Sequence, residues 1–476
     1  MSETLHCRSS SEGMLALSGF GKLSEREGWY TKWEAVLFVL LLFIVVRSIS
    51  ELIPPFQSPD EVNHIQRAYT LAEGNWLPMR EGDAAGGMVD TALLKYTDYF
   101  SALPFDYSAK EDRTLLAHTE SIKWTSKRVF SDFSNTAVYF PIPYIPQALA
   151  LNIGERLHLT VQNSYFLART FSLSATLGIL LCALLSYPVP MPLIALFLLP
   201  MSLFQMASAS MDSVCFAVSL LAASLFMRAA DEEVRFGPSL HVVLTICLVV
   251  LATVRQNLIC FTFLPAVLYT IRRSPSYFFS AGAGFLLAAL WSVYLTHGFS
   301  NVSPYNITPI EAIKFYLAHP QALVLTTVKT VTNYDLLIFY RDSFIGNFGG
   351  LDTPLGSGTY SAFTFLLLLL ALVTFQWSRE RFLRLSTISL VCGGLVAVAV
   401  LFFLLLVAWT PYRAPFIQGV QGRYFVPILA FAGYPLFAAR ISPLRRKLGL
   451  LVMFILLQLS MMSTGSALID RYFVSG

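Results

Sequence analysis

Charged residues are scarce in this sequence. Asp, Glu, Lys and Arg make up 13% of 476 residues while hydrophobic residues make up 55%; a soluble domain carries about a quarter of charged residues. No water-soluble core of this length needs so much apolar surface, so the chain reads as a polytopic membrane protein. Cysteine is sparse as well. Cys182, Cys215, Cys247, Cys260 and Cys392 fall inside apolar segments, and Cys7 lies in the N-terminal tail. The polar loops therefore hold no disulfide framework, and no Cys/His spacing reads as a zinc site. The small net charge of +4 does not point to nucleic acid, because Lys and Arg stand as punctuation between apolar runs. No internal repeat stands out, which argues against an inverted-repeat transporter. The first apolar segment lacks a small-residue cleavage site and is expected to be a retained anchor.

What the chain does have is apolar runs of about twenty residues, the length that crosses a bilayer core. They predict an all-α membrane fold of about eleven spans, near 35–54, 165–186, 190–208, 211–229, 239–255, 257–272, 276–297, 360–377, 385–408, 424–440 and 446–464. Basic clusters fix an orientation. Lys22, Arg26 and Lys32 precede the first span, and Arg228 with Arg235, Arg272 with Arg273, Arg379 with Arg381 and Arg384, and Arg440 with Arg445, Arg446 and Lys447 occupy alternate short loops. All fall on one face, expected to be cytoplasmic. The reading is then a cytoplasmic tail at 1–34, a membrane domain at 35–465 and a periplasmic tail at 466–476. Long loops at 55–164 and 298–359 and a short one at 409–423 face the periplasm. Asn301 and Asn306 match the glycosylation acceptor pattern, which is too common to carry weight.

The stretch Ser58-Pro59-Asp60-Glu61 follows the first span directly. Pro54 and Pro55 break that helix, since proline lacks the amide donor, and so bring the two carboxylates out at the membrane surface. One reading is a helix start: Ser58 as N-cap, Pro59 at the first position, Glu61 at the third. The other is catalytic, with Asp60 as the base and Glu61 as the better capping residue. Asp60, His64 and Arg67 share one helical face, and Val62, Ile65, Tyr69 and Ala72 form an apolar stripe that can rest in the membrane interface.

Three further groups are candidates. Tyr139, Tyr144 and Gln147 sit in a proline-punctuated stretch over 138–150, either a juxtamembrane anchor or a groove wall. Arg423 opens the tenth span in Gln421-Gly422-Arg423-Tyr424-Phe425, with Arg413 nearby; each either holds a phosphate or snorkels to headgroups. Asp212 and Arg255 lie at the outer ends of adjacent spans, where an ion pair is the default reading.

Pro55–Glu61 with His64, Tyr144–Leu149, Phe344–Gly346 with Leu351 and Asp352, and Gln421–Phe425 together resemble the bacterial family filed as domain of unknown function 2142, over about residues 35–465. That family in turn resembles the GT-C class of membrane glycosyltransferases. The resemblance implies an acidic motif in the first outer loop, where Asp60 and Glu61 stand, and a polyprenyl-phosphate sugar donor. The link from family to reaction is one of architecture. No second acidic cluster accompanies the first, so a divalent metal is possible but not indicated, and no cofactor is expected.

The expected function is a glycosyltransferase of the hexosyl-transferring type in the bacterial inner membrane, active on the periplasmic face. It would move a sugar from a polyprenyl phosphate to a cell-envelope glycan such as O-antigen, with inversion. Asp60 would be the base, Arg423 with Arg67 or Arg413 would hold the donor phosphate, and His64, Tyr139, Tyr144, Gln147, Asp212, Arg255 and Tyr424 would line the groove. The rivals are a lipid-linked glycan transporter or flippase, a glycan ligase or polymerase that takes a whole oligosaccharide from a diphosphate lipid, and a non-catalytic scaffold.

Overall fold

The computed structural model describes residues 28–111, 113–299, 308–376 and 378–474 and is built mainly of helices. Cys7, Lys22, Arg26, Asn301 and Asn306 lie outside the described residues. Helix α1 (Lys32–Ser50) starts on a capping box between Thr31 and Glu34, which satisfies amides that a helix end leaves open. The chain then makes a long excursion through α2 (Glu61–Ala72), strands β1 (Met79–Glu81), β2 (Ala84–Asp90) and β3 (Arg128–Asp132), and α3 (Ile145–Arg156). It returns through α4 (Val161–Ser186), α5 (Asp212–Ala230), α6 (Pro238–Val254) and α7 (Pro275–Phe299). A second excursion carries α8 (Pro309–Ala318), α9 (Pro320–Thr332) and α10 (Tyr334–Ile345). The chain closes with α11 (Thr359–Thr374), α12 (Leu385–Ala408), α13 (Phe425–Ala432) and α14 (Pro443–Tyr472).

Among the described residues six helices are long and apolar enough to cross a membrane: α1, α4, α5, the Pro275–Leu295 part of α7, α12 and α14. Each of the eleven apolar segments read from the sequence holds helix, but five of them are short or broken. Proline is the main cause. Pro190, Pro192 and Pro200 divide 190–208 into Met191–Ala195, Leu196–Leu198 and Pro200–Met206. A 3-10 stretch, Gln256–Phe263, precedes Leu264–Arg272, which has Pro265 in its first turn. Residues 191–211 are buried throughout, so their irregular backbone is enclosed by protein. They pack beside α5, which is 89% buried over its most apolar window and forms the centre of the bundle.

The all-helical expectation needs correction in the first excursion. There β1, β2 and β3 form an antiparallel sheet, with Arg80 opposite Ala85 and Met88 opposite Phe130. Buried Asp90 pins its corner by accepting from the amides of Ala92, Thr125 and Ser126. The sheet and α3 both pack on α2. The α2 stripe is therefore not in the membrane interface: Ile65 and Tyr69 are buried inside the protein. The excursion at 298–359, whose periodic stretches are consistent with short helices lying on the membrane, holds helices. The apolar pair α9 and α10 bends by 64° at Asn333, and Leu317, Val324, Leu325 and Val328 stand exposed, an outer apolar stripe suited to lipid.

Candidate functional site

The helix start at residues 58–61 differs from a simple capping box. Asp60, not Ser58, occupies the N-cap position of α2, in the left-handed region with φ 60°. Few non-glycine residues adopt that conformation, although Asp is among those that tolerate it. The Asp60 side chain makes no capping bond. Its Oδ1 accepts from Asn135 Nδ2 at 2.9 Å, and its Oδ2 lies 3.5 Å from Arg423 Nη2. The Asp60 side chain is 45% exposed and that of Arg423 3%.

Glu61 takes the opposite role. Its buried carboxylate accepts from Tyr165 Oη at 2.8 Å, from the Ala209 amide at 2.7 Å, from the Ser58 amide at 3.2 Å and from Arg169 at 3.3 Å. Arg169 also donates to the carbonyls of Ser50, Ile53 and Pro54. Those are among the acceptors left open where the prolines end α1. Glu61 thus ties the start of α2 to the end of α1 and to α4. The sequence reading missed Arg169; the available signal was a guanidinium four residues into the span read at 165–186.

Arg423 is the hub. Its Nη1 donates to Asp212 Oδ2 at 3.0 Å and its Nε to Gln421 Oε1 at 2.7 Å. Asp212 is bonded at its other oxygen to Arg255, as the sequence suggested. Tyr424 lies under both guanidiniums, 4.9 Å from that of Arg255 and 5.4 Å from that of Arg423. The backbone permits this only because residue 422 is glycine: a Cβ there would come within 2.1 Å of the Phe344 amide nitrogen and 2.3 Å of the Tyr340 carbonyl. Instead the Gly422 amide donates to Ser343 Oγ at 2.8 Å, fixing the turn on α10.

A histidine and two phenols complete the group. His64 Nδ1 is 2.6 Å from Tyr144 Oη, and the ring stacks on Tyr139 with centroids 6.1 Å apart. The Arg255 guanidinium lies 5.8 Å from the Tyr139 ring. Burial is the largest influence on His64 and pushes its pKa down, opposed by the charges of Asp212 and Asp60. Burial likewise pushes the Tyr139 and Tyr144 phenols up, so both are hydrogen-bond donors at neutral pH.

The sequence candidates divide accordingly. Asp60, His64, Tyr139, Tyr144, Asp212, Arg255, Arg423 and Tyr424 converge. Four do not join them. Glu61 is enclosed by its structural partners. Arg67 is fully buried and turned to the Trp76 carbonyl at 2.7 Å, closing the C-terminal end of α2. Gln147 is buried and donates to Ser172 Oγ and to the carbonyls of Ala209 and Ser210, holding the turn ahead of Asp212. Arg413 lies over Phe315 and Tyr412 at 4.8 Å from each ring. Asp352, from the Leu351-Asp352 motif, pairs with Arg471 at 3.6 Å and accepts from the Phe105 amide, joining the two excursions to α14. Among the described residues no three His, Cys, Asp or Glu side chains come together as metal ligands.

The arrangement is a chain of alternating charges, Asp60–Arg423–Asp212–Arg255. One end is the half-exposed Asp60 carboxylate, Arg423 and Asp212 are enclosed, and Arg255 at the other end is partly buried. Asp212 holds two guanidiniums in fixed orientation, which is what bidentate recognition of an anionic oxygen requires. The family described as predicted membrane protein (DUF2142) matches residues 37–432. Neither the curated proteins nor the solved structures include a match to the chain.

Proposed function

The chain belongs to the DUF2142 family of membrane proteins, and on that footing we propose that it is an integral-membrane glycosyltransferase. The proposed donor is a sugar on a polyprenyl phosphate and the proposed acceptor a hydroxyl of a cell-envelope glycan such as O-antigen. The finer architecture belongs to the same proposal: a GT-C-like bundle of about eleven crossings, in which the shorter apolar helices and the buried broken segment complete the spans. Its N-terminus is cytoplasmic and the Asp60 face periplasmic in the bacterial inner membrane.

One observation carries the reading: the half-exposed Asp60 carboxylate stands 3.5 Å from the enclosed Arg423 guanidinium. A base reachable by a water-borne hydroxyl lies beside a cation able to take a leaving phosphate. The contact is long for a charge-assisted bond, so a phosphate oxygen can replace Asp60 on Arg423 Nη2. The freed carboxylate takes the proton of the acceptor hydroxyl. The acceptor oxygen bonds the anomeric carbon from the far side, and the carbon–oxygen bond to phosphate breaks with its electron pair going to the phosphate, which Arg423 and Arg255 hold. Configuration inverts. The base and the preorganised cations each contribute about two to four powers of ten in reactions of this kind. Asp212 does not react; it keeps the cations aimed. The test is purified protein in liposomes with an α- or β-defined polyprenyl-phosphate hexose and a glycan acceptor. The product should carry inverted configuration, and Arg423→Ala should lose transfer by raising the donor KM; no transfer from any such donor sinks the reading.

A lipid-linked glycan transporter is the second reading, favoured by one feature. The 64° bend between apolar α9 and α10 resembles the discontinuous helices of secondary transporters. Donor flipping in the same liposomes without transfer would support it.

A further inference from the structure

A cavity of about 470 Å³ lies between α8, α9 and the loop that follows α12. Its lining combines aromatic rings, Phe315, Tyr316 and His319, with the cations Lys329 and Arg413. Among the described residues no Asp or Glu lines it. The Arg413 guanidinium carbon lies 4.8 Å from the centroids of both the Phe315 and the Tyr412 rings. Arg413 itself sits at φ 58°, so the loop accepts a strained backbone to present it. Among the described residues Arg413 has no carboxylate partner, unlike Arg169, Arg255 and Arg423. The His319 ring stacks on Phe315 with centroids 4.6 Å apart and its Nδ1 meets the Phe315 carbonyl at 3.0 Å. Because a carbonyl only accepts, Nδ1 is the donor in that bond.

We propose that this cleft binds an acidic saccharide, a sugar ring bearing a carboxylate, and that it is where the acceptor glycan docks. A guanidinium is the preferred partner of a carboxylate fork, and Phe315, Tyr316 and His319 give the lining an aromatic surface suited to a pyranose ring. The volume suits a short oligosaccharide rather than a lone ion. Connectivity supports an acceptor role. Ten residues on from Arg413, the same loop delivers Arg423, and it is fixed along the way by the Ile417 amide on Thr330 Oγ1 at 2.9 Å and the Gly422 amide on Ser343 Oγ at 2.8 Å. An acceptor on α8 and α9 is therefore tied by a short, pinned segment to the site of the leaving phosphate. The assignment of acceptor rests on the glycosyltransferase reading; binding of the acidic saccharide does not.

The test uses the full chain in discs of zwitterionic phosphatidylcholine, with fluorescent trigalacturonate and the matched neutral trigalactoside as probes. Trigalacturonate should bind and the neutral sugar should bind at least about tenfold more weakly, as loss of a charge-assisted pair implies. Arg413→Ala and, on a separate element, Lys329→Ala should each weaken trigalacturonate by a similar factor, while Asp60→Asn leaves its binding intact. Equal binding of the two sugars, or unchanged binding in both variants, overturns the proposal. Adding phosphatidylglycerol to the disc should leave trigalacturonate affinity unchanged; its displacement by that lipid would identify a headgroup site and also overturn it. Transfer to neutral acceptors without trigalacturonate binding would remove the cleft alone, whereas trigalacturonate binding without transfer from any donor would remove the enzyme reading alone.

Discussion

The guanidinium of Arg423 and the carboxylate of Asp212 lie 3.0 Å apart, both enclosed, across 211 positions of chain. Arg255 holds the other Asp212 oxygen. One aspartate thus neutralises two arginines that desolvation would otherwise make untenable.

Asp212→Asn should therefore be a folding mutation. It leaves two cations with a single, half-exposed carboxylate nearby and should cost about 3–5 kcal/mol, the usual result of breaking a buried pair from one side. Asp60→Asn removes an exposed partner and should cost under about 1 kcal/mol. Thermal unfolding of the detergent-solubilised variants compares them; equal losses would contradict the hub role of Asp212.

Glu61→Gln should also act on structure. Arg169 would keep its three carbonyls but lose the charge of its carboxylate partner, and with Oε1 still serving the Tyr165 hydroxyl and the Ala209 amide, an amide nitrogen in place of Oε2 would face two donors, the Ser58 amide and Arg169 Nη2. The expected signature is lower stability, with residual transfer falling in proportion to folded protein. A variant that unfolds normally yet transfers nothing would give Glu61 a chemical role instead.

The residues of the candidate site were readable in the sequence wherever charge interrupts apolar context. Asp60 follows Pro54 and Pro55, Arg423 follows Gly422, and Asp212 and Arg255 end adjacent apolar runs, so each stands out against a background with few ions. Pairing of Asp212 with Arg255 followed from adjacency. Contacts between distant segments were not readable. Nothing local told Glu61 that its partner is Arg169, and a helix-start pattern explained it well enough to hide the buried pair. Arg67 shares the helical face of Asp60, yet the chain folds back at Asn75 and Trp76 and offers it carbonyls first. The sheet was missed because β2, with Gly86 and Gly87 at its centre, has weak strand propensity; pairing on both sides makes it a strand.

Acidity should weaken the fold through His64. Burial lowers its pKa from an ordinary value of about 6.5. Between the two values the unfolded chain binds a proton that the folded one refuses, so the stability contributed by neutral His64 is complete above about pH 6.5 and is lost as pH falls below it. The groups facing the ring, Asp60 and Asp212 against Arg423 and Arg255, largely offset one another. Melting temperatures from about pH 7.5 down to about pH 5 should fall in the native chain and flatten in His64→Gln. An unchanged acid limb would assign the loss to other groups.

The most direct measurement is single-turnover sugar transfer by Asp60→Asn in liposomes, with donor binding and melting temperature followed on the same preparation. The account predicts that the transfer rate falls by about two powers of ten or more, while the donor still binds and the protein melts within a few degrees of the native chain. Transfer at the native rate would show that the oxygen beside Arg423 takes no proton, and the catalytic assignment of this site would be wrong.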